Sequence, residues 1–493
     1  MERRRFLLLL LFLLLSVPLS ARAHVGSPDV FYEGSAGPYK LFVTIRPPEV
    51  IPGVADVVVR SATDDITQLR VVPMPLIGAG ARFAPTPDVA VRSRQDAQMF
   101  SGHLWMMTPG TWQIRIMVDG ARGAATLAVP VPALPQRTAG MQTMLALMLG
   151  VFLLVLFFGM ISIVGAWAGQ AQLSPGEVLA APGQKRARGA MAVAAILLLL
   201  VVSGLGFWWH TEAVKYDSHV YRPLGMTAKN ENGHLRLFLS EPGWQDRNLD
   251  DLLPDHDHLM HLFIVARPQM DRIFHLHPVR EGAGVFGMEL PPLAAGKYSL
   301  FADIVHATGL PETLIAELEL PVALPGTPLA GDDAAGSGPP LSAAQPTSTV
   351  SPLPADGPLQ AGKGGPQMVW LRDTTAYRAR VPYWFRFRVE DEPGHPAEDL
   401  ELYMGMLGHA AFIKSDGSIF AHIHPSGSVS MASLSLTEPT ATQHMHHQAA
   451  ALPSEVSFPF GFPQPGEYRI FIQIKRRSAV ATGIFDIHVE PPG

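Results

Sequence analysis

Nineteen histidines, twenty methionines and no cysteine set the chemistry open to this chain of 493 residues. Without thiols, any metal centre here is built from imidazole, thioether, carboxylate or backbone groups, and a Cys-type structural zinc site is excluded. The histidines are patterned. Two His-x-His pairs, His275/His277 and His422/His424, lie in short apolar runs that end on proline: Phe274-His-Leu-His-Pro278 and Phe420-Ala-His-Ile-His-Pro425. Side chains alternate along a strand, so both rings of such a pair point to one face, with Cβ atoms about 7 Å apart. One metal ion can reach both.

The strand before each pair adds a third ring. Met260-His-Leu-Phe-Ile-Val265 carries His261, and Gly408-His-Ala-Ala-Phe-Ile413 carries His409. With Arg267–Asp271 as the first turn and Lys414–Ser418 as the second, His261 falls opposite His277 and His409 opposite His424. Cross-strand neighbours lie about 5 Å apart, so each hairpin presents three imidazoles on one sheet face. Such a set suits Cu(II) or Zn(II). His256 and His258, in Asp255-His-Asp-His258, precede the first strand and either join its site or are solvated. Phe263 and Val265 share the face of His261, so a single ring there reads most simply as a buried histidine bonded to backbone. Three converging rings, present twice, favour a metal, because neutral imidazole is the commonest ligand.

Methionine tilts the choice of metal. Tyr403-Met-Gly-Met-Leu-Gly-His409 places Met404 and Met406 on one face of an extended run beside His409, with core packing as the alternative. The polar stretch after His424 contains Met431 and His444-Met-His-His447, so His444, His446 and His447 are further donors or else a solvated loop. Thioethers favour Cu(I), and imidazole serves both oxidation states. Copper is therefore the first expectation and zinc the second. Asp255, Asp257 and Asp303 stand near the histidines, as surface carboxylates or as groups that orient the ligands.

The elements that position these residues read as β-strands. Residues 24–136 contain Tyr39–Arg46, Ala55–Arg60 and Thr111–Val118; residues 215–324 contain His234–Ser240, Met260–Ala266, Arg272–His277, Lys297–Val305 and Glu312–Leu320. Each alternates or runs apolar over strand lengths between Pro and Gly. Residues 367–493 behave alike. The second and third units look like copies, since His261 matches His409, His275/His277 match His422/His424, and Tyr298 in Gly296-Lys-Tyr matches Tyr468 in Gly466-Glu-Tyr. Residues 325–366, rich in Pro, Gly, Ala and Ser, read as a flexible tether about 35 Å in reach. The fold class expected is mainly β, three immunoglobulin-like sandwiches outside the membrane, with a transmembrane helical hairpin.

Three apolar segments account for the high apolar fraction of 47%. The first follows Arg3–Arg5 and precedes Ala21-x-Ala23, the order of a signal peptide over residues 1–23. The other two, 140–168 and 190–209, each supply the roughly 20 apolar residues that a bilayer requires. Lys185, Arg186 and Arg188 mark the 169–189 connection as cytoplasmic and put the flanking domains outside a bacterial cytoplasmic membrane, with the lipid bilayer as partner. Cleavage after Ala23 leaves His24 first, where its amine and ring together chelate one ion.

An exported β-domain that opens on histidine after an Ala-x-Ala site resembles periplasmic copper-resistance domains of the CopC type. That resemblance implies Cu(II) held by His24 and an internal histidine, here His103 in Gly-His-Leu-Trp-Met-Met107. Val25 and Gly26 stand where those domains usually show a second histidine. The Met-His-Leu-Phe and His-Leu-His-Pro runs resemble the YtkA-like modules of bacterial membrane proteins, which implies a metal role. A net charge of −6 offers no basic face for a nucleic acid. No phosphate loop, nucleophile elbow or His-Glu-x-x-His motif is present. The reading these features favour is a non-enzymatic envelope protein that binds or delivers copper, with other envelope metalloproteins as partners. A copper or zinc enzyme of the envelope, and a non-metal interaction or sensor protein, are the alternatives.

Overall fold

The structure, a computed structural model, describes residues 28–493 apart from 79, 81, 82, 172, 175, 245, 246, 342–347, 355–364, 375 and 438–451. The leader-like segment, His24, and the group His444, His446 and His447 lie outside the described residues. The protein is mainly β with two long apolar helices. The first domain is a sandwich. One sheet runs Val30–Ala36, Tyr39–Arg46, Gly53–Ser61, Met99–Met106, Val91–Arg92; the other runs Asp88–Val89, Ile66–Pro75, Gly110–Gly120, Gly123–Ala133. Period-two alternation builds its core: along Gly53–Ser61, Ala55, Val57 and Val59 point in, while Val54, Asp56 and Arg60 are exposed.

Helix α1 (Thr143–Gln170) and helix α2 (Ala181–Asp217) follow. Both are apolar over most of their length and pack on each other, with Gly165 against Met191 and Gly169 against Ala187. Each is long and apolar enough to cross a bilayer. The connection is shorter than the expected 169–189, since Lys185, Arg186 and Arg188 already lie in the first turns of α2. Pro182 in the first turn sets the helical φ, and the Gln-Lys-Arg-Ala run that follows has good helix propensity. At 37 residues α2 is about 55 Å long, more than a hydrocarbon core needs, and its far end docks on the first domain. There Tyr216 Oη donates to the Ile51 carbonyl at 2.8 Å and accepts from the Ile51 amide at 3.2 Å.

In the second domain one sheet is ordered Gly225–Glu231, His234–Ser240, Val285–Glu289, Val279–Gly282. The other runs Leu252–Leu253, Gly296–His306, His261–Arg267, Arg272–Leu276, with Pro311–Leu320 also on Gly296–His306. The third domain repeats the plan. Its histidine-bearing sheet runs Tyr377–Arg378, Ala479–Glu490, Gly466–Arg476, His409–Lys414, Phe420–Ile423. The hairpin registers are the expected ones: Leu262 pairs Leu276 and Phe263 pairs His275, while Ala410 pairs Ile423 and Ala411 pairs His422.

The two histidine-bearing sheets pack face to face. Phe263, Val265, Ile273 and Phe301 of one form a single buried cluster with Ala411, Ile413, Phe420 and Phe471 of the other. Arg469, fully buried, crosses the boundary by donating to the carbonyls of Met270 and Pro339 while pairing with Asp486. The expected tether is also not free. Ala334–Ser337 adds a strand to Arg272–Leu276, and Gly336 lies against Thr482 of the third domain. The Gly/Ala composition that reads as a linker is what lets this strand fit between two sheets.

Candidate metal centre

The histidines of the two repeats do not form two separate sites; they meet in one. Eight rings converge where the sheets face each other: His256, His258, His261, His275 and His277 from the second domain, and His409, His422 and His424 from the third. Ring centroids within the second domain lie 5.3 Å apart for His261/His275, 4.8 Å for His275/His277 and 3.9 Å for His258/His277. Across the boundary they lie 5.1 Å apart for His256/His409, 5.0 Å for His256/His424 and 5.5 Å for His275/His422. Two triads have ligand nitrogens all within 4.8 Å of one another: His261/His275/His277, and His256/His409/His424. The first is the set expected of the first hairpin. The second takes His256 from the other domain in place of His422.

His256 reaches across because it sits on a tight turn. Asp255 and His258 exchange both backbone hydrogen bonds, and the two residues between them have φ of 49° and 68°. The same turn recurs at Tyr403–Met406, with Met404 at 50° and Gly405 at 78°. Met404 and Met406 therefore do not share the strand face expected of them. They occupy the turn positions that His256 and His258 hold in the other copy. Met431 opens a short helix α3 (Met431–Ser435), capped by the Ser430 hydroxyl, in place of the expected loop. The turn after His424 is fixed by the first domain, whose Phe31 exchanges hydrogen bonds with Ser428 and whose Glu33 amide donates to Ser426. His103 joins nothing here. It is exposed, with Nδ1 2.8 Å from Asp56 Oδ1.

Burial governs the electrostatics. His275 and His409 are 0% exposed and His261 is 2% exposed. Burial, and then the neighbouring His277, pushes His261 down to about 3. Burial and His256 do the same for His424, also to about 3. His275, His409 and His422 are held well below the ordinary imidazole range, again by burial first and by the other rings second. All five are neutral at pH 7, the form that ligates metals.

Some of their nitrogens are anchored. His275 Nδ1 is 2.9 Å from Gln473 Oε1, His277 Nδ1 is 3.0 Å from Asp333 Oδ1, and His261 Nε2 is 3.0 Å from the Asp255 carbonyl. His422 Nδ1 lies 3.3 Å from Asp303 Oδ2. Carboxylates and carbonyls that hold one ring nitrogen leave the other aimed inward, the usual outer arrangement of a metal site. Buried nitrogens without a hydrogen-bond partner among the described residues are Nε2 of His256, His258, His277, His422 and His424, and both nitrogens of His409, with Asp332 Oδ2 3.6 Å from His258 Nε2. Each such buried group costs about 1–3 kcal/mol unless something bonds it. His261 Nδ1 and His275 Nε2 are 3.1 Å apart, and two imidazole nitrogens on one tetrahedral ion are separated by about 3.3 Å at metal–nitrogen bonds near 2.0–2.1 Å. A cavity of about 180 Å³ is bordered by His258, His261, His422 and His424 and by Asp255 and Asp303. It has room for an ion and several waters.

Sequence reasoning missed Asp332, Asp333 and Gln473. The first two are adjacent acids in a segment nearly free of other charges, which was the available signal. Gln473 lies opposite His409 as Asp303 lies opposite His261, so alignment of the repeats finds it.

Residues 367–491 match a family described as "Domain of unknown function (DUF8832)". No curated protein matches the sequence. Among solved structures, fibronectin(III)-like modules of Clostridium thermocellum CbhA are 6% identical, with 56% of this chain and 94% of theirs covered at a TM-score of 0.20. Methylamine-reacted Salmonella alpha-2-macroglobulin is 8% identical, covering 95% of this chain and 24% of that one at 0.20. A putative membrane anchored protein from Corynebacterium diphtheriae is 10% identical, covering 94% and 96% at 0.15.

Proposed function

We propose that the protein is a membrane-anchored metal-binding protein of the bacterial cell envelope, with copper as its ion. The observation that carries this is the buried convergence of eight imidazoles, six of which have at least one buried nitrogen with no hydrogen-bond partner among the described residues, while His261 and His275 bond each other. Partnerless buried nitrogens in this number would consume a stability that is normally about 5–15 kcal/mol in all, and a metal ion is the partner that neutral imidazoles share. Copper is favoured over zinc by the donor types: many imidazoles, no thiolate, and methionines at the equivalent turn. The apolar helices hold the domains at a bilayer. The Lys/Arg group at the start of α2 supports a cytoplasmic connection and external domains, and a cleaved leader ending at Ala23 agrees with it. The protein would store or hand on copper to other envelope metalloproteins.

The test is competition titration of the full-length protein in detergent with Cu(I), Cu(II) and Zn(II), beside a His409→Ala/His424→Ala variant. We expect stoichiometric copper binding by the wild type and, in the variant at unchanged β-sheet content, at least a hundredfold weaker binding at the site that these two rings serve. Uptake of none of the three ions at micromolar concentrations would overturn the proposal.

A further inference from the structure

Eight imidazoles exceed what one ion can use, since copper and zinc take about four ligands and at most five or six. The surplus is organised. One triad, His261/His275/His277, lies wholly in the second domain; the other, His256/His409/His424, is shared between domains. The arrangement around them is a pseudo-two-fold. Gln473 of the third domain binds His275 of the second, and Asp303 of the second, at the equivalent strand position, approaches His422 of the third. The Asp255–His258 turn answers to the Tyr403–Met406 turn. One set thus belongs to a single half and the other draws on both, and the rings of the two sets are neighbours, with centroids 6.1 Å apart for both His256/His261 and His275/His409.

We infer that the centre is binuclear: one ion on His261, His275 and His277, and a second on His256, His409 and His424, bound across the boundary between the second and third domains. This rests on the metal-binding reading above and adds its stoichiometry and its dependence on domain docking. The symmetry is broken in a useful way. His256 in the second domain corresponds to Met404 in the third, so the all-imidazole shared triad exists only because one copy of the turn carries histidines. Four carboxylates stand around the set: Asp303 beside His422, Asp333 and Asp332 beside His277 and His258, and Asp255 beneath the His256 turn. They offset the charge that two ions bring into a buried space.

The experiment uses copper alone with the full-length protein in detergent. His256→Asn is the informative variant, because that residue is only half-buried on a turn with φ of 49°, a conformation Asn tolerates. Metal analysis should give two copper ions per wild-type chain and one per His256→Asn chain. Loaded with Cu(II), the wild type should show spin–spin coupling in its paramagnetic resonance spectrum; the variant should show an uncoupled signal of full intensity from its one ion. One ion in the wild type, or two retained by His256→Asn, overturns the binuclear assignment and leaves the metal-binding reading standing. Wild-type protein that takes up no copper overturns both. His277→Ala, on the other triad, should also lower the count from two to one, and a variant that keeps two refutes the first half of the assignment.

Discussion

His306 and His275 belong to the same sheet of the second domain and are 1% and 0% exposed, yet their surroundings are opposite. His306 has an acid on each nitrogen, Asp251 Oδ1 at 2.8 Å and Glu312 Oε2 at 2.9 Å. Glu312 also accepts from the Tyr221 hydroxyl at 2.6 Å and pairs with Arg247. Burial opposes a charge on this ring, but the hydrogen bonds to Glu312 and Asp251 outweigh it, and the pKa is raised. His275 meets a glutamine and other rings, and its pKa falls. The same residue type at the same depth is a structural cation in one place and a set of neutral lone pairs in the other. The fold can satisfy a buried histidine completely, as it does for His306. That contrast marks the partnerless nitrogens of the octet as a functional arrangement.

Acid should separate the two regions most strongly. His261 and His424 are neutral in the native state down to about 3, whereas in the unfolded chain they take up protons below about 6.5. The unfolded state therefore binds more protons between those values, and the stability from these rings is present above pH 6.5 and lost as pH falls. Each contributes about 1.4 kcal/mol per pH unit, so from pH 6.5 to 4.5 these two rings alone should cost the metal-free protein about 5 kcal/mol, with His275, His409 and His422 adding in the same direction, read as a falling denaturant midpoint. His306, with its raised pKa, behaves the other way: its contribution is full below the unfolded value and fades as pH rises through the folded one. A flat acid limb would remove the electrostatic half of the contrast.

Next in size is the satisfied network. Glu312→Ala strips partners from His306, Tyr221 and Arg247 together and should destabilise the protein by about 3–5 kcal/mol in chemical denaturation, with copper stoichiometry unchanged. Loss of copper in this variant would join two regions that His306 and His275 otherwise set apart. Each copper ion at a hundred times its dissociation constant should add about 2.7 kcal/mol to the stability of the wild type, and His409→Ala/His424→Ala should keep only the rise in melting temperature due to the ion on His261, His275 and His277. The smallest expected effect belongs to Asp333→Asn. Its carboxylate orients His277 through Nδ1, so affinity should weaken by about tenfold in competition titration while the stoichiometry stays the same.

Much of this centre is legible in the order of the residues. His-x-His spacing with period two puts His275 with His277 and His422 with His424 on one face, and the turn positions yield both hairpin registers as found. Strand alternation and the apolar helices define the fold class for the same reason, that local periodicity is written locally. What is not legible is long-range. Nothing local says that the face carrying His261, Phe263 and Val265 is covered by the face carrying His409, Ala411 and Ile413, so two sites are expected where one exists. The Gly/Ser/Pro composition of 325–366 hides a strand that owes its stability to the sheets on either side. The Met404/His256 equivalence depends on positive φ at two turns, a feature that alternation patterns do not carry.

Whether the converging imidazoles hold copper is read most directly by X-ray absorption at the copper edge on the full-length, copper-loaded protein. We expect a first shell of nitrogen donors with the multiple-scattering pattern of several imidazoles per copper, diminished when His275, His277, His409 and His424 are replaced together by alanine. Copper surrounded by oxygen donors without imidazole scattering, or a spectrum unchanged in that fourfold variant, would contradict a histidine-bound centre.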